Sequence, residues 1–285
     1  MKLGCLLDMD GVIYRGSEVI PGAAEFIRFL TEASIPYLLL TNNSAPTPLD
    51  ILVKLRKFGV ETTVEHIYTS GMATAEWIVR QKPTATAYVI GESGLLTALN
   101  DAGIAVTRDH PDYVIVGEGR TLNFEMLEIA HRAIDAGAGF LSTNADTWCP
   151  TDAGPRPGCG AIAALLESAT GRQAYHVGKP NPFMFRAARK KLGLATDEVL
   201  MVGDTMETDI RGATDLGFKN ILVLTEEPQR IKRKSPFRNG LLFITGAFWV
   251  GLVESIARLV PENGSNPEAI LGLIDSLKNS MSAAN

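Results

Sequence analysis

The chain opens with an apolar run, Leu3-Gly4-Cys5-Leu6-Leu7, that discharges directly into Asp8-Met9-Asp10-Gly11-Val12. A run of that kind reads as a strand buried on both faces, as in a parallel sheet, so the first carboxylate emerges at the strand's C-terminal end. Open α/β sheets bind their ligands at that edge. Two carboxylates two residues apart repel each other unless a cation or a shared proton lies between them. The feature therefore points to a metal-dependent carboxylate site that other strands must complete.

Two further apolar runs supply what is needed. Pro36 to Leu40 reads as a second buried strand ending in Thr41-Asn42-Asn43-Ser44, small hydroxyl and amide residues that can hold phosphate oxygens without adding charge. The same cluster also suits the N-cap of a helix over Pro46 to Phe58. Glu198 to Gly203 is a third such strand and ends on Asp204, with Thr205 to Asp209 and a helix to Leu216 behind it. Strands that each deliver an acidic residue to one sheet edge are hard to explain structurally, and together with Asp8 and Asp10 they form an oxygen cage for a hard divalent cation.

Between Ser70 and about Tyr175 a second set of alternating elements appears, with strands at Ala87 to Ile90, Tyr113 to Val116 and Gly139 to Ser142 and a helix from Phe124 to Ala136. This is a smaller α/β unit inserted into the first. Asn144 to Gly160 is rich in Pro, Gly and Asp and reads as a long ordered loop of the kind that is often functional. Gly158-Cys159-Gly160-Ala161-Ile162-Ala163 is not a dinucleotide fingerprint, because a proline-rich stretch precedes it where a strand is required. A short strand at Tyr175-His176 then leads to Lys179 in Gly178-Lys179-Pro180-Asn181-Pro182, and the prolines open a helix through Phe183 to Leu192. Lys219 to Leu224 is the next strand. The expected organisation is a core over residues 1–76 and 177–262, a cap over 77–176, and a tail over 263–285.

Composition narrows the partners. With 27 Lys+Arg against 32 Asp+Glu the net charge is −5, which gives no general attraction to nucleic acid or to an anionic membrane. Three cysteines at no metal-finger spacing fit a reducing compartment, no signal peptide is expected, and cytoplasmic location is the default. The longest apolar run, Leu241 to Val253, is shorter than the roughly 20 residues of a spanning helix and reads as buried or interfacial.

Phosphate ester chemistry uses every candidate. Asp8, fixed by its strand, is placed for in-line attack on phosphorus. Asp10 would protonate the leaving oxygen and later deprotonate the hydrolytic water. Asp204, supported by Asp209, would anchor magnesium, and Thr41, Asn42 and Lys179 would hold the transferring phosphoryl group.

These stretches resemble the motif set of the haloacid dehalogenase superfamily: Asp8-Met-Asp10-Gly-Val the first motif, Thr41-Asn42 the second, Lys179 in Gly-Lys-Pro the third, and Gly203-Asp204 through Thr208-Asp209 the fourth. Their order and spacing are similar to the NagD-like nitrophenylphosphatase branch, and the similarity runs from Met1 to about Thr225. The resemblance implies a Rossmann-like α/β core, with a parallel sheet flanked by helices, and an inserted α/β cap. It also implies an Mg2+-dependent phosphomonoesterase acting through an aspartyl-phosphate on small metabolites such as nucleoside monophosphates or sugar phosphates. Asp8 would ligate the metal and Asp10 would offer it a backbone carbonyl. The cap loop Thr143-Asn144-Ala145-Asp146 would face the substrate, making Asn144 and Asp146 candidate contacts.

Two other readings compete. A dehalogenase would use an aspartate nucleophile on carbon, yet it needs no metal and has no use for Asp10 and Asp204. A binding or regulatory protein would lack a nucleophile or a metal ligand, and none is missing. The segment 226–252 departs from the relatives, and its apolar part near Trp249 is a candidate edge element, homodimer contact or partner surface.

Overall fold

The computed structural model describes residues 3–149, 151, 153–223 and the backbone of 243–244. They form two compact units: the described parts of Met1–Leu40, Leu52–Ile67 and the chain from Phe185 onward, and those of Thr41–Ile51 and Tyr68–Met184.

The first unit is built on a sheet whose strand order is Phe243–Ile244, Lys219–Val223, Val199–Gly203, Gly4–Asp8, Tyr37–Thr41, Ile67–Thr69. The pairs from Phe243–Ile244 through Tyr37–Thr41 are parallel, with Leu7 opposite Val202 on one side and Leu39 on the other. Every residue of Gly4–Asp8, Tyr37–Thr41 and Val199–Gly203 is buried, which is why these strands read as unbroken apolar runs rather than alternating ones. The helix Ala23–Glu32 buries Ala23, Phe26, Ile27, Phe29 and Leu30, spaced to fall on one helix face.

This strand order fixes where a ligand can go. The chain starts in the middle of the sheet, builds outward on one side through Tyr37–Thr41, and returns to build outward on the other through Val199–Gly203. The direction of winding reverses beside Gly4–Asp8. At such a reversal the connections leave in opposite directions and open a crevice at the C-terminal ends of the strands. Asp8 ends one of the flanking strands, and Gly203 followed by Asp204 ends the other.

The second unit holds a five-stranded parallel sheet in the order Tyr175–His176, Gly139–Ser142, Tyr113–Val116, Thr86–Ile90, Ala105–Val106. Side chains alternate between its faces. Ala87, Val89, Ile115 and Leu141 pack with Leu95 and Leu99, whereas Tyr88, Ile90, Val114, Val116 and Phe140 pack with Ala130, Ile134, Ala163 and Leu166. The helices Ser70–Gln81 and Phe124–Asp135 start at side-chain caps, Thr69 accepting from the Met72 N–H (3.2 Å) and Asn123 from that of Met126 (3.0 Å).

Three local outcomes depart from the sequence reading. The helix expected around Ile162 to Leu166 runs from Cys159 to Thr170, between Gly158 and Gly171, because the glycines mark its ends better than the apolar pattern does. The segment after Asp204 is not a simple helix start: Met206–Ile210 forms a π-turn ahead of the helix Arg211–Asp215. There the Thr205 carbonyl accepts from both Asp209 N–H (3.0 Å) and Ile210 N–H (3.3 Å). A hairpin, Tyr14–Arg15 with Glu18–Val19, was not anticipated. Of the segment 226–252, only Phe243–Ile244 lies within the described residues, as the edge strand of the first sheet. The tail from residue 263 lies outside them. Among the described residues, no helix is long and apolar enough to cross a membrane.

Candidate active site

In the first unit, the strand ends bring three carboxylates together. Asp8, Asp204 and Asp209 each offer an oxygen, and these oxygens lie within 4.8 Å of one another. Asp209 is fully buried, and Asp8 is nearly so. The π-turn explains the third member: widening the helical turn carries Asp209 back over the strand end, where its Oδ2 accepts the Thr205 N–H at 3.2 Å. Asp204 Oδ1 accepts the Thr205 hydroxyl at 2.9 Å.

Glycine is required beside the cluster. Gly11 has φ +81°, and a Cβ there would also overlap the Asp204 carboxylate. Gly11 N–H donates to the Tyr14 carbonyl (2.8 Å), closing the turn that carries Asp10. Asp10 is itself exposed, and its carboxylate is not one of the three gathered oxygens. Tyr14 senses the pair all the same: burial pushes its hydroxyl pKa up, and the charges of Asp10 and Asp8 push it further.

Three carboxylate oxygens in a largely buried setting form a hard, all-oxygen donor set, which fits Mg2+ better than a metal that prefers nitrogen or sulfur. Among the described residues, this is the one group of acidic, histidine or cysteine side chains with such spacing.

The second unit contains the other predicted residues, and Asn42 is their hub. Its side-chain oxygen accepts the Lys179 N–H (2.8 Å), while its amide nitrogen donates to the Lys179 carbonyl (3.1 Å) and to Asp146 Oδ2 (3.0 Å). The Asn42 carbonyl accepts from Asn144 Nδ2 (2.8 Å) and from the Ser70 hydroxyl (2.6 Å), and Asn144 Oδ1 in turn accepts the Asp146 N–H (2.9 Å). Thr41 Oγ1 accepts the Asn43 N–H (3.0 Å), and Asn43 Oδ1 accepts that of Ala45 (3.0 Å). Asn42 and Asn144 thus have their amide groups engaged with neighbouring chain. Burial raises the Asp146 carboxyl above its ordinary range, outweighing the Asn42 hydrogen bond and the charge of the buried Lys179, both of which lower it. The Gly178 N–H donates to the Thr143 carbonyl (2.9 Å), and a Cβ at Gly178 would overlap that oxygen.

The second unit also has a cavity of about 490 Å3, lined by Glu118, Arg120, Leu122, Arg156 and Ile162 among others. None of the candidate catalytic, phosphate-binding or metal residues lines it, although the Asn144 to Gly160 loop does so through Arg156 and its neighbours. Glu118 itself was overlooked. The signal was present, since Tyr113–Val116 is an apolar strand followed by Gly117-Glu118-Gly119, the pattern that singled out Asp8 and Asp204.

A parallel sheet with acidic residues gathered at its winding reversal, and a second α/β unit inserted in the chain, defines a class of hydrolase scaffold that sequence comparison then specifies. Residues 5–105 match the haloacid dehalogenase-like hydrolase family, and residues 176–241 match a second HAD-hydrolase-like model. The chain is 40% identical over 239 residues to the dihydroxyacetone phosphatase of Corynebacterium glutamicum, covering 84% of this chain and 87% of the relative. It is also 40% identical over 227 residues to the 5'-nucleotidase YutF of Bacillus subtilis, with 80% and 89% covered. The solved structure of NagD from E. coli K-12 superposes with a TM-score of 0.79 at 36% identity, over 85% of this chain and 96% of that one. The chain belongs to the haloacid dehalogenase-like hydrolases, as a NagD-like phosphatase.

Proposed function

We propose that this protein is a Mg2+-dependent phosphomonoesterase for small phosphorylated metabolites, with triose or other sugar phosphates and nucleoside monophosphates as its substrate classes. The substrate classes follow those in the relatives' names. The observation that carries the mechanism is the gathering of the Asp8, Asp204 and Asp209 oxygens at the reversal of the sheet.

In this reading an Asp8 carboxylate oxygen attacks phosphorus and the P–O bond to the leaving group breaks. The departing oxygen takes the proton of the Asp10 carboxyl. A water then gives its proton to Asp10 as it attacks phosphorus, the bond to Asp8 breaks, and inorganic phosphate leaves. Asp10 is suited to this because its side chain is exposed while the Gly11–Tyr14 turn fixes its backbone. Its carbonyl, with Asp8, Asp204 and Asp209, would hold the cation, whose contribution is to neutralise the carboxylates and the phosphoryl oxygens. Thr41, Asn43 and Lys179 would bind the phosphoryl group, with Asn42 orienting Lys179 and Asn144 orienting Asp146. The division into core (1–76, 177–262) and cap (77–176), and a cytoplasmic, reducing location, belong to the same reading.

Phosphate release should be measured from 4-nitrophenyl phosphate, dihydroxyacetone phosphate and a nucleoside monophosphate, with magnesium and with chelator. Activity should require magnesium and be abolished in a folded Asp8→Asn variant. Turnover that survives chelation, or an Asp8→Asn variant that keeps wild-type rates, contradicts the proposal.

A further inference from the structure

Glu118 is a carboxylate buried to 2% exposure that the reaction above does not use. Each of its oxygens has its own donor: Oε1 accepts the Cys159 N–H (2.9 Å) and Oε2 accepts Arg156 Nη2 (3.0 Å). The Cys149 thiol lies 3.5 Å from both. The Glu118 backbone N–H donates to Ser44 Oγ (2.9 Å), which bonds the Thr143 hydroxyl at 3.0 Å.

These partners occupy the two arms of one hairpin. Trp148 and Cys149 pair with Pro157 and Arg156, and Cys159 begins the helix that follows. Immediately before the hairpin, the Asp146 carbonyl accepts the Gly160 N–H (2.9 Å), and the Asp146 carboxylate accepts from Asn42, which holds Lys179. A continuous set of contacts therefore runs from Glu118 through the helix start to Asp146, Asn42 and Lys179, all within the second unit.

We infer that Glu118 is a positioning residue: its paired carboxylate clamps both arms of the hairpin to the helix start and so sets where Asp146 and the Asn42–Lys179 pair stand for substrate. The inference rests on the phosphatase reading for its catalytic consequence. The chemistry favours a clamp over an incidental ion pair. A carboxylate at 2% exposure is costly to desolvate and is retained only when its lone pairs are matched, as they are here by an N–H and a guanidinium.

The test uses the full chain in Glu118→Gln and Arg156→Gln forms. The first keeps the shape and removes the charge; the second leaves Glu118 its Cys159 N–H and serves if the first fails to fold. Two readouts are needed. Burial and the Glu118 charge hold the Cys149 thiol up at about 12. Removing the Glu118 charge by itself lowers the Cys149 thiol, whereas removing the Arg156 charge raises it, so several-fold faster alkylation of Cys149 in Arg156→Gln, with Cys5 and Cys159 buried, reports release of the hairpin rather than a change of charge. KM for 4-nitrophenyl phosphate and dihydroxyacetone phosphate should rise by different factors, on the order of ten-fold for one of them, with kcat changing less.

Faster alkylation together with that split supports the inference. Unchanged or slower alkylation in Arg156→Gln overturns it, and so does faster alkylation with unaltered KM values. If the wild type hydrolyses no ester, the phosphatase reading falls on its own. The clamp is then decided by alkylation and by calorimetric binding of inorganic phosphate, which the variants should weaken; binding equal to wild type overturns it.

Discussion

Replacing Asp204 with asparagine separates what the acidic cluster costs from what it does. Three carboxylate oxygens lie within 4.8 Å of one another. At that spacing and an effective dielectric of about 20, each ionised pair repels by roughly 3.5 kcal/mol, and Asp204→Asn removes two of the three pairs. Hydrogen bonds such as that from the Thr205 hydroxyl, together with proton uptake, relieve most of this, so about 1–2 kcal/mol is a reasonable net gain for the metal-free variant. Asparagine keeps an acceptor for that hydroxyl, so little packing is lost. For a chain of this size the gain corresponds to a rise of roughly 2–8 °C in Tm.

In magnesium at about 100 times its Kd the wild type gains about 2.7 kcal/mol, whereas the variant, short of one ligand, gains far less. The two melting curves should therefore exchange order, the variant melting higher in chelator and the wild type higher in magnesium. Differential scanning calorimetry with and without magnesium tests this. A variant that melts lower in chelator, or that keeps the full magnesium-induced shift, refutes the reasoning.

The second unit supports two more predictions. Because the Asp146 pKa is raised in the folded protein, its contribution to stability is full below the unfolded carboxyl pKa and lost as pH rises through the folded one. Asp146→Asn should then melt higher than wild type at neutral pH, with the difference vanishing in acid, as a pH series of thermal unfolding would show; a difference that persists in acid refutes it. Gly178→Ala forces a Cβ onto the Thr143 carbonyl and to 2.7 Å from Asn42 Oδ1. It should cost about 1–3 kcal/mol by denaturant titration and lower kcat/KM for nitrophenyl phosphate by displacing Lys179, while a stability equal to wild type would mean that the close approach is not a constraint.

Much of the first unit was legible because its information is local. A strand buried on both faces must be apolar throughout, so Leu3–Leu7, Pro36–Leu40 and Val199–Gly203 announce themselves, and the residue that ends each run is placed by the strand itself. Asp209 was identifiable as a candidate but its route to the cluster was not. That route depends on a widened turn in which one carbonyl takes two N–H donors, and no residue between Thr205 and Ile210 marks it. The Tyr14–Val19 hairpin is two residues per strand, too short for a period-2 pattern to register.

Asn42 and Asn144 show a different limit. Their types suit phosphate binding, yet amides form the same hydrogen bonds to backbone as to a ligand. What decides between them is whether partners such as Lys179, more than a hundred residues away, arrive to take them.

Glu118 sharpens the point, because its local pattern is that of Asp8 and Asp204: an apolar parallel strand, then a carboxylate at the C-terminal end. The sheet edge explains why all three are presented and says nothing about their fate. Asp8 and Asp204 meet another carboxylate, Asp209, which leaves a concentration of negative charge for a cation to answer. Glu118 meets an arginine and the first N–H of a helix, which answer its charge within the protein. Identical strand-end chemistry thus offers a candidate metal site in one sheet and an internally paired carboxylate in the other, and the difference lies in which donors the connecting loops return to the strand end.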